Sequence, residues 1–461
     1  MLDRDRAHEI FVRIKKHSTA DEVEVLFYGG RSALTRFANN VIHQNVAEEN
    51  YGVSVRTAFG GRTARATTNK FDNESLKQVV QASETLAKVQ HPDPDLLPMP
   101  GAGEGIRATQ TTPNRHFAQT AELTPELRAD GVKKIVAVAN RHQLTTAGIF
   151  SCAESVEGIF NSRGLSAWHT QTSSEISVTM LAGDSSGWQK ANCPDVAQLN
   201  PANLAEIAAR KAIESAGPRE IPAGKYMVIL EPAAVLDLVG FMFFDFGGLS
   251  ILDQRSFLNN RVGTKIFGEN IDIRDDVAHP LQSGSPFDGE GVPRQRVHLV
   301  EKGVVKRLVY ARATAEKMKQ SERKEKVGPV EATGHGFPLP NEMGEAPMNI
   351  VFAPPSDPKT VEQMITSTER GMLVTRLWYI REVDPYEKIL TGMTRDGTFY
   401  VEDGKVRYGV RNFRFNESLI QMLSNVEAMG TPVRASGEES FDMVAPAMKV
   451  REFNFTEVTK F

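Results

Sequence analysis

Cysteine is scarce in this sequence, and its scarcity removes two classes of protein. Cys152 and Cys193 are the two cysteines in 461 residues, and they show no metal-binding or redox spacing. A disulfide-stapled scaffold and a cysteine-rich metal module therefore do not fit. Two thiols in so long a chain favour a reducing compartment. The charged start of the sequence is not followed by a signal-type apolar segment, so we expect a cytoplasmic protein.

A strong excess of one charge is also absent. The formal net charge is −4, so the sequence lacks the basic footprint of proteins that bind nucleic acid or anionic membranes directly. No apolar run reaches the roughly 20 residues that span a bilayer. We therefore expect neither a nucleic-acid nor a membrane partner. The 40% hydrophobic fraction is ample for a large core, and the length predicts two or three domains of about 100–200 residues each.

The first half, residues 1–220, predicts an α+β domain of antiparallel sheets with helices. Alternating apolar positions predict a first strand from Ala20 that contains Val23, Val25 and Phe27, and further strands at 32–37, 41–47, 52–58, 62–68, 144–153, 155–162 and 165–181. Turns are predicted at Gly29-Gly30, Asn39-Asn40 and Gly60-Gly61. Helical spacing predicts helices at 2–18, 73–88, 124–140 and 200–215, the second of them capped by Asn73. A connector at about 90–115 is rich in Pro and Gly.

The second half, residues 221–461, predicts a mostly-β domain that is entered through a buried central helix at 232–246. Pro232 suits a first helical turn and Gly247 a helix exit. Between them only Asp237 and Asp245 are charged, and a helix that is apolar on nearly all sides belongs in a core or an interface. Further strands are predicted at 297–300, 304–309, 349–352, 372–380, 388–393, 397–402, 405–412 and 448–455, and further helices at 311–318, 360–368 and 416–428. The segments 321–328 and 332–348 are predicted to be solvated loops.

Several pieces of the sequence, in this order, resemble the TldD/PmbA family over nearly the whole chain. They are GVSVRTAFGGRTARATTN, GKYMVILEP, SFLNNRVG, IRDD, FDGEGVPRQRVHLVEKGVV, RGMLVT, DGTFYVEDGKV and VRNFRFNESLIQMLSNVEAMG. The resemblance implies that TldD-type members are metalloproteases. Their central helix carries a His-Glu pair with a second His about one turn on, and a cysteine near the C-terminus assists the metal. Two such imidazoles can hold Zn²⁺, while the carboxylate serves as general base.

The residues at the matching places here cannot form that zinc site. The His-Glu pair corresponds roughly to Gly240 and Phe241, and the second His to Asp245. No two of the ten histidines lie three, four or five residues apart, and the segment after Arg434 contains no cysteine. Asp237 and Asp245 are eight residues apart, about 12 Å along a helix, which is too far to share one ion. We predict no metal, no cofactor and no catalytic residue. The resemblance then points to PmbA-type members, the non-catalytic half of a heteromeric protease.

The remaining candidates are an acidic group and an aromatic face. Asp288 and Glu290 lie in a turn-forming Asp-Gly-Glu-Gly sequence, close to Asp275 and Asp276, and a carboxylate hydrolase would need such a group. Turn formation or pairing with arginine explains them as well. Phe241 and Phe244 can line a peptide channel, although core or interface packing fits them better. The candidates for substrate or interface contact are Phe241, Phe244, Asp245, Asp288 and Glu290.

The leading interpretation is a PmbA-like subunit that pairs with a TldD-like, metal-bearing paralogue and helps to enclose an unfolded peptide or a precursor of peptide modification. A homodimer or a heterodimer is expected. One alternative is a self-sufficient hydrolase that uses other groups. A second is a regulator of DNA topology, a role attached to the family's name, which would have to act through protein partners.

Overall fold

The N-terminal part of the chain is built on one antiparallel sheet. The computed structural model describes residues 2–103 and 111–459. The strands of this sheet are β1 (Glu22–Ala38), β2 (Val41–Phe59), β3 (Arg62–Thr68), β4 (Thr145–Asn161), β5 (Ser166–Ala182) and β6 (Ser185–Cys193). They lie in the order β3-β2-β1-β4-β5-β6. The accompanying helices are α1 (Arg4–His17), α2 (Asn73–Val89), α3 (Ala118–Ala121), α4 (Pro125–Arg141) and α5 (Pro201–Glu214), with a 3-10 turn at Val196–Gln198.

The strands are longer than the sequence predicts, and the turn expected at Gly29-Gly30 is wrong. β1 continues through both glycines while paired with β2 and β4. A Cβ on Gly29 would lie 2.1 Å from the carbonyl oxygen of Asn50, and one on Gly30 would lie 1.9 Å from that of Glu154. Glycine is needed there because neighbouring backbone comes too close for a side chain. The predicted segments 41–47 and 52–58 are likewise one strand, as are 144–153 and 155–162.

Two hydrophobic clusters attach the helices to this sheet. The helices α1 and α2 pack on the start of β1 and the end of β2, with Ile10, Phe27 and Val80 buried between them. The helices α4 and α5 pack further along, with Ile135 and Ala208 in the second cluster. The start of α2 differs from prediction, since Asp72 and not Asn73 is the N-cap and accepts the N–H of Ser75. An ionised cap at this place also meets the positive end of the helix dipole.

The C-terminal part contains two sheets. Its strands are β7 (Gly224–Leu230), β8 (Ile273–Asp275), β9 (Val297–Glu301), β10 (Val304–Val305), β11 (Ile350–Phe352), β12 (Arg370–Val374), β13 (Leu377–Asp384), β14 (Ile389–Thr394), β15 (Thr398–Glu402), β16 (Lys405–Gly409), β17 (Phe413–Ser418), β18 (Val426–Met429), β19 (Val433–Ala435), β20 (Met443–Ala445) and β21 (Met448–Val458). One sheet has the order β13-β14-β17-β21-β7-β12-β15-β16, with β18 on β21, and the other has the order β10-β9-β8-β11-β20-β19.

The helices of the C-terminal part are short. They are α6 (Pro232–Val239), α7 (Gly248–Leu252), α8 (Arg312–Gln320), α9 (Val361–Thr366) and α10 (Leu419–Ser424), with 3-10 segments at Gly240–Phe246 and Lys324–Lys326. The helix predicted at 416–428 is wrong at both ends. Ser418 still belongs to β17 and caps α10 by accepting the N–H of Gln421, and strand β18 starts at Val426. The strand predicted at 372–380 breaks because Thr375 turns its hydroxyl to the carbonyl oxygens of Asp396 and Gly397.

The predicted central helix is buried, but it is α-helical only as far as Val239. From Gly240 to Phe246 the chain winds as a 3-10 helix. Its side chains Val235, Leu238 and Phe243 join the main hydrophobic core with residues of both C-terminal sheets. The predicted α+β class is confirmed, with an antiparallel N-terminal sheet and a β-rich C-terminal part. The boundary at 220/221 stays a prediction. Among the described residues, no helix combines the length and the apolar character needed to cross a membrane.

Candidate functional site

The 3-10 turn that begins at Gly240 packs directly against the loop after β19. A Cβ on Gly240 would lie 1.8 Å from the Oγ of Ser440 and 2.4 Å from its Cβ. The contact is possible only because residue 240 has no side chain. The central helix and the segment after Arg434, which lie far apart in sequence, therefore meet at this point.

Asp237 fastens the same loop from one turn earlier in the helix. Its Oδ1 accepts the backbone N–H groups of Glu438 and Glu439 at 3.1 and 3.0 Å. The carboxyl is fully buried, and its Oδ2 has no hydrogen-bond partner. Burial raises the pKa of Asp237 to about 7, because the charged form is poorly solvated there, and the two N–H bonds oppose that rise. The group holds the loop and is hidden from solvent.

Asp245 lies at the other end of the 3-10 segment and pairs with a buried lysine. Its Oδ2 is 2.6 Å from the Nζ of Lys388, and its Oδ1 accepts the N–H of Phe257 at 3.1 Å. Lys388 also reaches the Oε1 of Glu382 at 2.6 Å and the carbonyl oxygen of Phe241 at 3.4 Å. Burial raises the pKa of Asp245, and the lysine charge opposes that rise. The ammonium thus neutralises this end of the central segment.

The two aromatic candidates differ in exposure. Phe241 is partly buried and packs against the main core. Phe244 is 42% exposed and stacks on Phe337, with ring centroids 6.3 Å apart. Phe244 is therefore available at the surface, whereas Phe241 serves packing.

The acidic turn lies next to Phe337, around Gly336. Asp288 accepts the N–H groups of Glu290, Val292 and Gly336 at 2.8–2.9 Å. A Cβ on Gly336 would lie 3.1 Å from Glu290 Oε1 and 3.3 Å from Asp288 Oδ2. Burial raises the pKa of both carboxyls, and the charge of Glu290 adds to the rise at Asp288. Their bonds go to main chain and to Arg312, which stabilises the turn.

A third buried carboxyl, Glu345, extends this group and was not anticipated from the sequence. It accepts the N–H of Leu249 at 2.8 Å, that of Ala311 at 3.2 Å and the hydroxyl of Thr314 at 2.8 Å. Burial raises its pKa to about 7. It thereby ties the start of α7 to the start of α8, below the exposed Phe244.

The segment 332–348 is irregular, as predicted, but the expectation that it is solvated holds only for its middle. Residues 333–336 and 345–347 are buried, whereas Pro338, Pro340, Glu342 and Met343 are exposed. His335 is 1% exposed, and its Nε2 lies 3.0 Å from the Oδ1 of Asp275. Its Nδ1 lies 3.0 Å from the hydroxyl of Thr333. Asp276 is also buried and pairs with Arg274 and Arg296. The paired charges compensate one another inside the protein, which helps these parts of the loop to be buried, although His335 Nε2 and Asp275 Oδ1 make no hydrogen bond of good geometry.

A cavity of about 390 Å³ opens between the N-terminal sheet and the C-terminal part. Small side chains of β1, β4 and β5 line one side, and Arg434 and Asp442 line the other; the small ones include Ser32, Ser151, Ala153 and Ser173. Arg434 is held by Asn192 Oδ1 at 2.6 Å and Ser283 Oγ at 3.1 Å. Asn192 also binds Ser436. The segment 433–442 therefore contacts the cavity through Arg434 and the central helix through Ser440.

Comparison with known families assigns the chain. The family model for the PmbA/TldA metallopeptidase C-terminal domain matches residues 223–457, and the models for domain 1 and for the central domain match residues 23–87 and 120–216. The chain belongs to the TldD/PmbA family.

Curated relatives within TldD/PmbA extend over most of the chain. Metalloprotease PmbA of Escherichia coli O157:H7 is 22% identical over 448 residues, which cover 94% of this chain and 92% of that protein. The metalloprotease PmbA homolog of Haemophilus influenzae is 20% identical, covering 91% and 89%.

Solved structures show the same TldD/PmbA fold. TldE of Thermococcus kodakarensis superimposes with a TM-score of 0.84 at 20% identity, covering 98% of this chain and 100% of that one. A Thermotoga maritima protein described as a candidate modulator of a DNA gyrase gives 0.83 at 22%, covering 98% and 99%.

The zinc site expected of TldD-type members of the TldD/PmbA family does not fit the residues of this chain. Gly240 and Phe241 have no ligand atom in their side chains, and Asp245 is bound to Lys388. In the neighbouring loop Ser440 contacts Gly240, whereas a zinc site of the TldD type would need a thiolate there. Among the described residues, no group of three or more His, Cys, Asp or Glu side chains is arranged to hold a metal ion.

The sequence indicated Asp245, Asp288 and Glu290 as candidate site residues, but it did not indicate which residues surround them in this TldD/PmbA fold. The structure brings Phe244 and the acidic turn close together through Gly336 and Phe337, whereas Asp245 contacts a different group. The additional residues are Lys388, Glu345, Ser440 and Arg434. Their contacts with Asp245, Leu249, Gly240 and Asn192 span 96 to 242 positions, and no local pattern indicates such pairs. The roles of the five candidate residues stay predictions.

Proposed function

We propose that the chain is a PmbA-like, non-catalytic subunit of a TldD/PmbA-type metalloprotease assembly. In this proposal a TldD-like paralogue carries the zinc and cuts, while this chain helps to enclose and bind unfolded peptide. The observation that carries the proposal is the central turn. Gly240, Phe241 and Asp245 stand where a metalloprotease of the family needs its ligands and its base. The side chains of Gly240 and Phe241 have no atom that can bind a metal ion, and the carboxylate of Asp245 is neutralised by Lys388.

The N-terminal sheet offers backbone for a peptide. β3 pairs only with Val53–Phe59 of β2. In the described chain, the outer edge of β2 over 41–52 is therefore unpaired, and most of its side chains are exposed. An extended peptide can add to such an edge through main-chain hydrogen bonds, which require no particular peptide sequence. This supports a role in holding unfolded segments.

The cavity beside Arg434 is the second place that we propose for peptide contact. Its sheet side combines small side chains, which leave room for a chain above the strands, with larger ones such as Leu34, Glu48 and Gln171. Arg434 stands at its other side with a largely buried, hydrogen-bonded guanidinium. A partner that covers the mouth of this cavity would turn it into an enclosed cleft.

Co-expression with the TldD-like paralogue tests the assembly. We expect a stable complex on gel filtration, and we expect the complex but not this chain alone to cleave an unfolded peptide with zinc present. Independent elution of the two chains would refute the heteromeric assembly. A homodimer of this chain with no affinity for the paralogue would do the same.

Experiments on the isolated chain test two rival functions. Peptide cleavage by the pure protein would indicate a self-sufficient hydrolase, and Glu290→Gln would then test the acidic turn. The burial and main-chain bonding of Glu290 and Asp288 weigh against this outcome. Salt-dependent binding of duplex DNA would indicate direct contact with nucleic acid, which a net charge of −4 disfavours. A cytoplasmic location, with Cys152 and Cys193 as free thiols, is part of the proposal.

A further inference from the structure

Lys388 is a buried cation that is surrounded by oxygen atoms. Its residue is 3% exposed, and its Nζ lies 2.6 Å from Asp245 Oδ2, 2.6 Å from Glu382 Oε1 and 3.4 Å from the carbonyl oxygen of Phe241. The face of the Phe257 ring lies 5.5 Å from the same nitrogen. An ammonium has three N–H donors, and three oxygen acceptors are present. Each N–H group of the ammonium therefore has an oxygen acceptor.

The backbone conformation around Lys388 places its amine beside these oxygen atoms. The turn between β13 and β14 is fixed by Asp384, whose Oδ1 accepts the N–H groups of Tyr386 and Glu387 at 2.9 and 3.0 Å. Lys388 itself has a φ of 48°, a left-handed conformation that is unfavourable for a residue with a side chain. Its carbonyl oxygen accepts the N–H of Leu419 at 2.9 Å. Several bonds therefore hold a strained residue in one place.

We propose that the Lys388 ammonium is a built-in replacement for the metal ion of this fold. It contacts two of the three positions that correspond to the metal motif, Asp245 through its carboxylate and Phe241 through its carbonyl. It occupies a cation site whose ligand atoms are all oxygens, and removing the amine leaves this site vacant. Two carboxylates and a carbonyl are hard ligands, so the ion suited to the vacated site is Mn²⁺ or Ca²⁺ and not zinc.

The charge balance explains why a cation is required there. Asp245 is buried, whereas the side chain of Glu382 is 31% exposed, and each carboxylate lies 2.6 Å from the Nζ of Lys388. Without the ammonium, the two carboxylates would repel each other at the edge of the core. A bound divalent ion would remove that repulsion. This inference concerns the chain alone and holds whether or not a partner or a peptide binds.

Lys388→Ala tests the proposal with MnCl₂ as the probe. We expect the wild-type protein to show no saturable Mn²⁺ binding by electron paramagnetic resonance and no change in melting temperature at millimolar Mn²⁺. Lys388→Ala should bind one Mn²⁺ saturably, and Mn²⁺ should raise its melting temperature. Adding Asp245→Asn to this variant should abolish the gain.

Lys449→Ala is the matched control. Lys449 is also buried, but its Nζ binds the carbonyl and hydroxyl oxygens of Ser367, and its nearest carboxylate, Glu427, is 3.9 Å away. This variant should gain no Mn²⁺ response. If Lys388→Ala unfolds without metal, Mn²⁺ should restore its folding and EDTA should reverse the effect, whereas Lys388→Met, which fills the space, should not respond. Equal Mn²⁺ binding by wild type, or a folded Lys388→Ala with no gain over the control, would overturn the proposal.

Discussion

Replacing Gly240 by alanine should destabilise the protein, although this change usually stabilises helical backbone. Gly240 has φ −55° and ψ −28°, so alanine by itself would gain about 1 kcal/mol. The added Cβ would lie 1.8 Å from Ser440 Oγ and 2.4 Å from Ser440 Cβ. Forcing extra atoms into a packed contact costs about 1–3 kcal/mol. We expect a net loss of up to about 2 kcal/mol in the free energy of unfolding.

A double-mutant cycle isolates that contact. Ser440→Gly should relieve the overlap, so that Gly240→Ala loses its penalty in the Ser440→Gly background and the coupling free energy is about 1–3 kcal/mol. Urea unfolding of the four proteins, followed by far-ultraviolet circular dichroism, measures it. Additive effects of the two changes, or a Gly240→Ala protein more stable than wild type, would refute the packing of the loop on the central helix.

Other regions yield three further predictions. Glu24→Gln should cost about 3–5 kcal/mol in urea unfolding because it leaves buried Arg56 unpaired, whereas Glu49→Gln, at an exposed pair, should cost less than about 1 kcal/mol. Burial raises the pKa of Asp237 to about 7, above its unfolded value, so this group lowers stability as pH rises from about 4 to about 7. Glu345 acts in the same direction, so Asp237→Asn should reduce the slope of the wild-type profile by at most about 1.4 kcal/mol per pH unit, and an unchanged slope would contradict the assignment. Phe244→Ser should weaken co-elution with the paralogue while lowering stability by no more than about 1.5 kcal/mol, since Phe244 is half-exposed; unchanged co-elution would remove it from the interface.

The sequence predicted most elements wherever the local pattern reflects local structure. Helix α4 begins at Pro125 after Thr124, as its Thr-Pro-Glu start indicates. The turn at Asn39 and Asn40 is present, and both residues have positive φ. The turn predicted at Gly29 was wrong because a glycine that makes room for a neighbouring strand looks the same in sequence as a glycine in a turn. Only the pairing of β1 on both sides distinguishes the two.

The site was harder to predict because its geometry depends on distant contacts. The family resemblance directed attention to Gly240 and Asp245, whose roles stay predictions. Nothing near Lys388 in sequence indicates that its amine reaches Asp245, more than a hundred residues earlier. Asp288 was expected to serve turn formation, and its carboxylate does accept N–H groups of its own turn, but it is also buried against the backbone N–H of Gly336. Local turn chemistry could not reveal that burial.

The pairing of β7 with β21 has a consequence for synthesis. Leu230 pairs with Met448 at the middle of the larger C-terminal sheet, and the central helix follows directly after Leu230. During translation this helix leaves the ribosome long before the strand that completes the sheet beside it. Contacts between such distant segments form slowly, so the C-terminal half must wait in an open form until the last strand emerges. Shortening the chain at its end would therefore damage its middle.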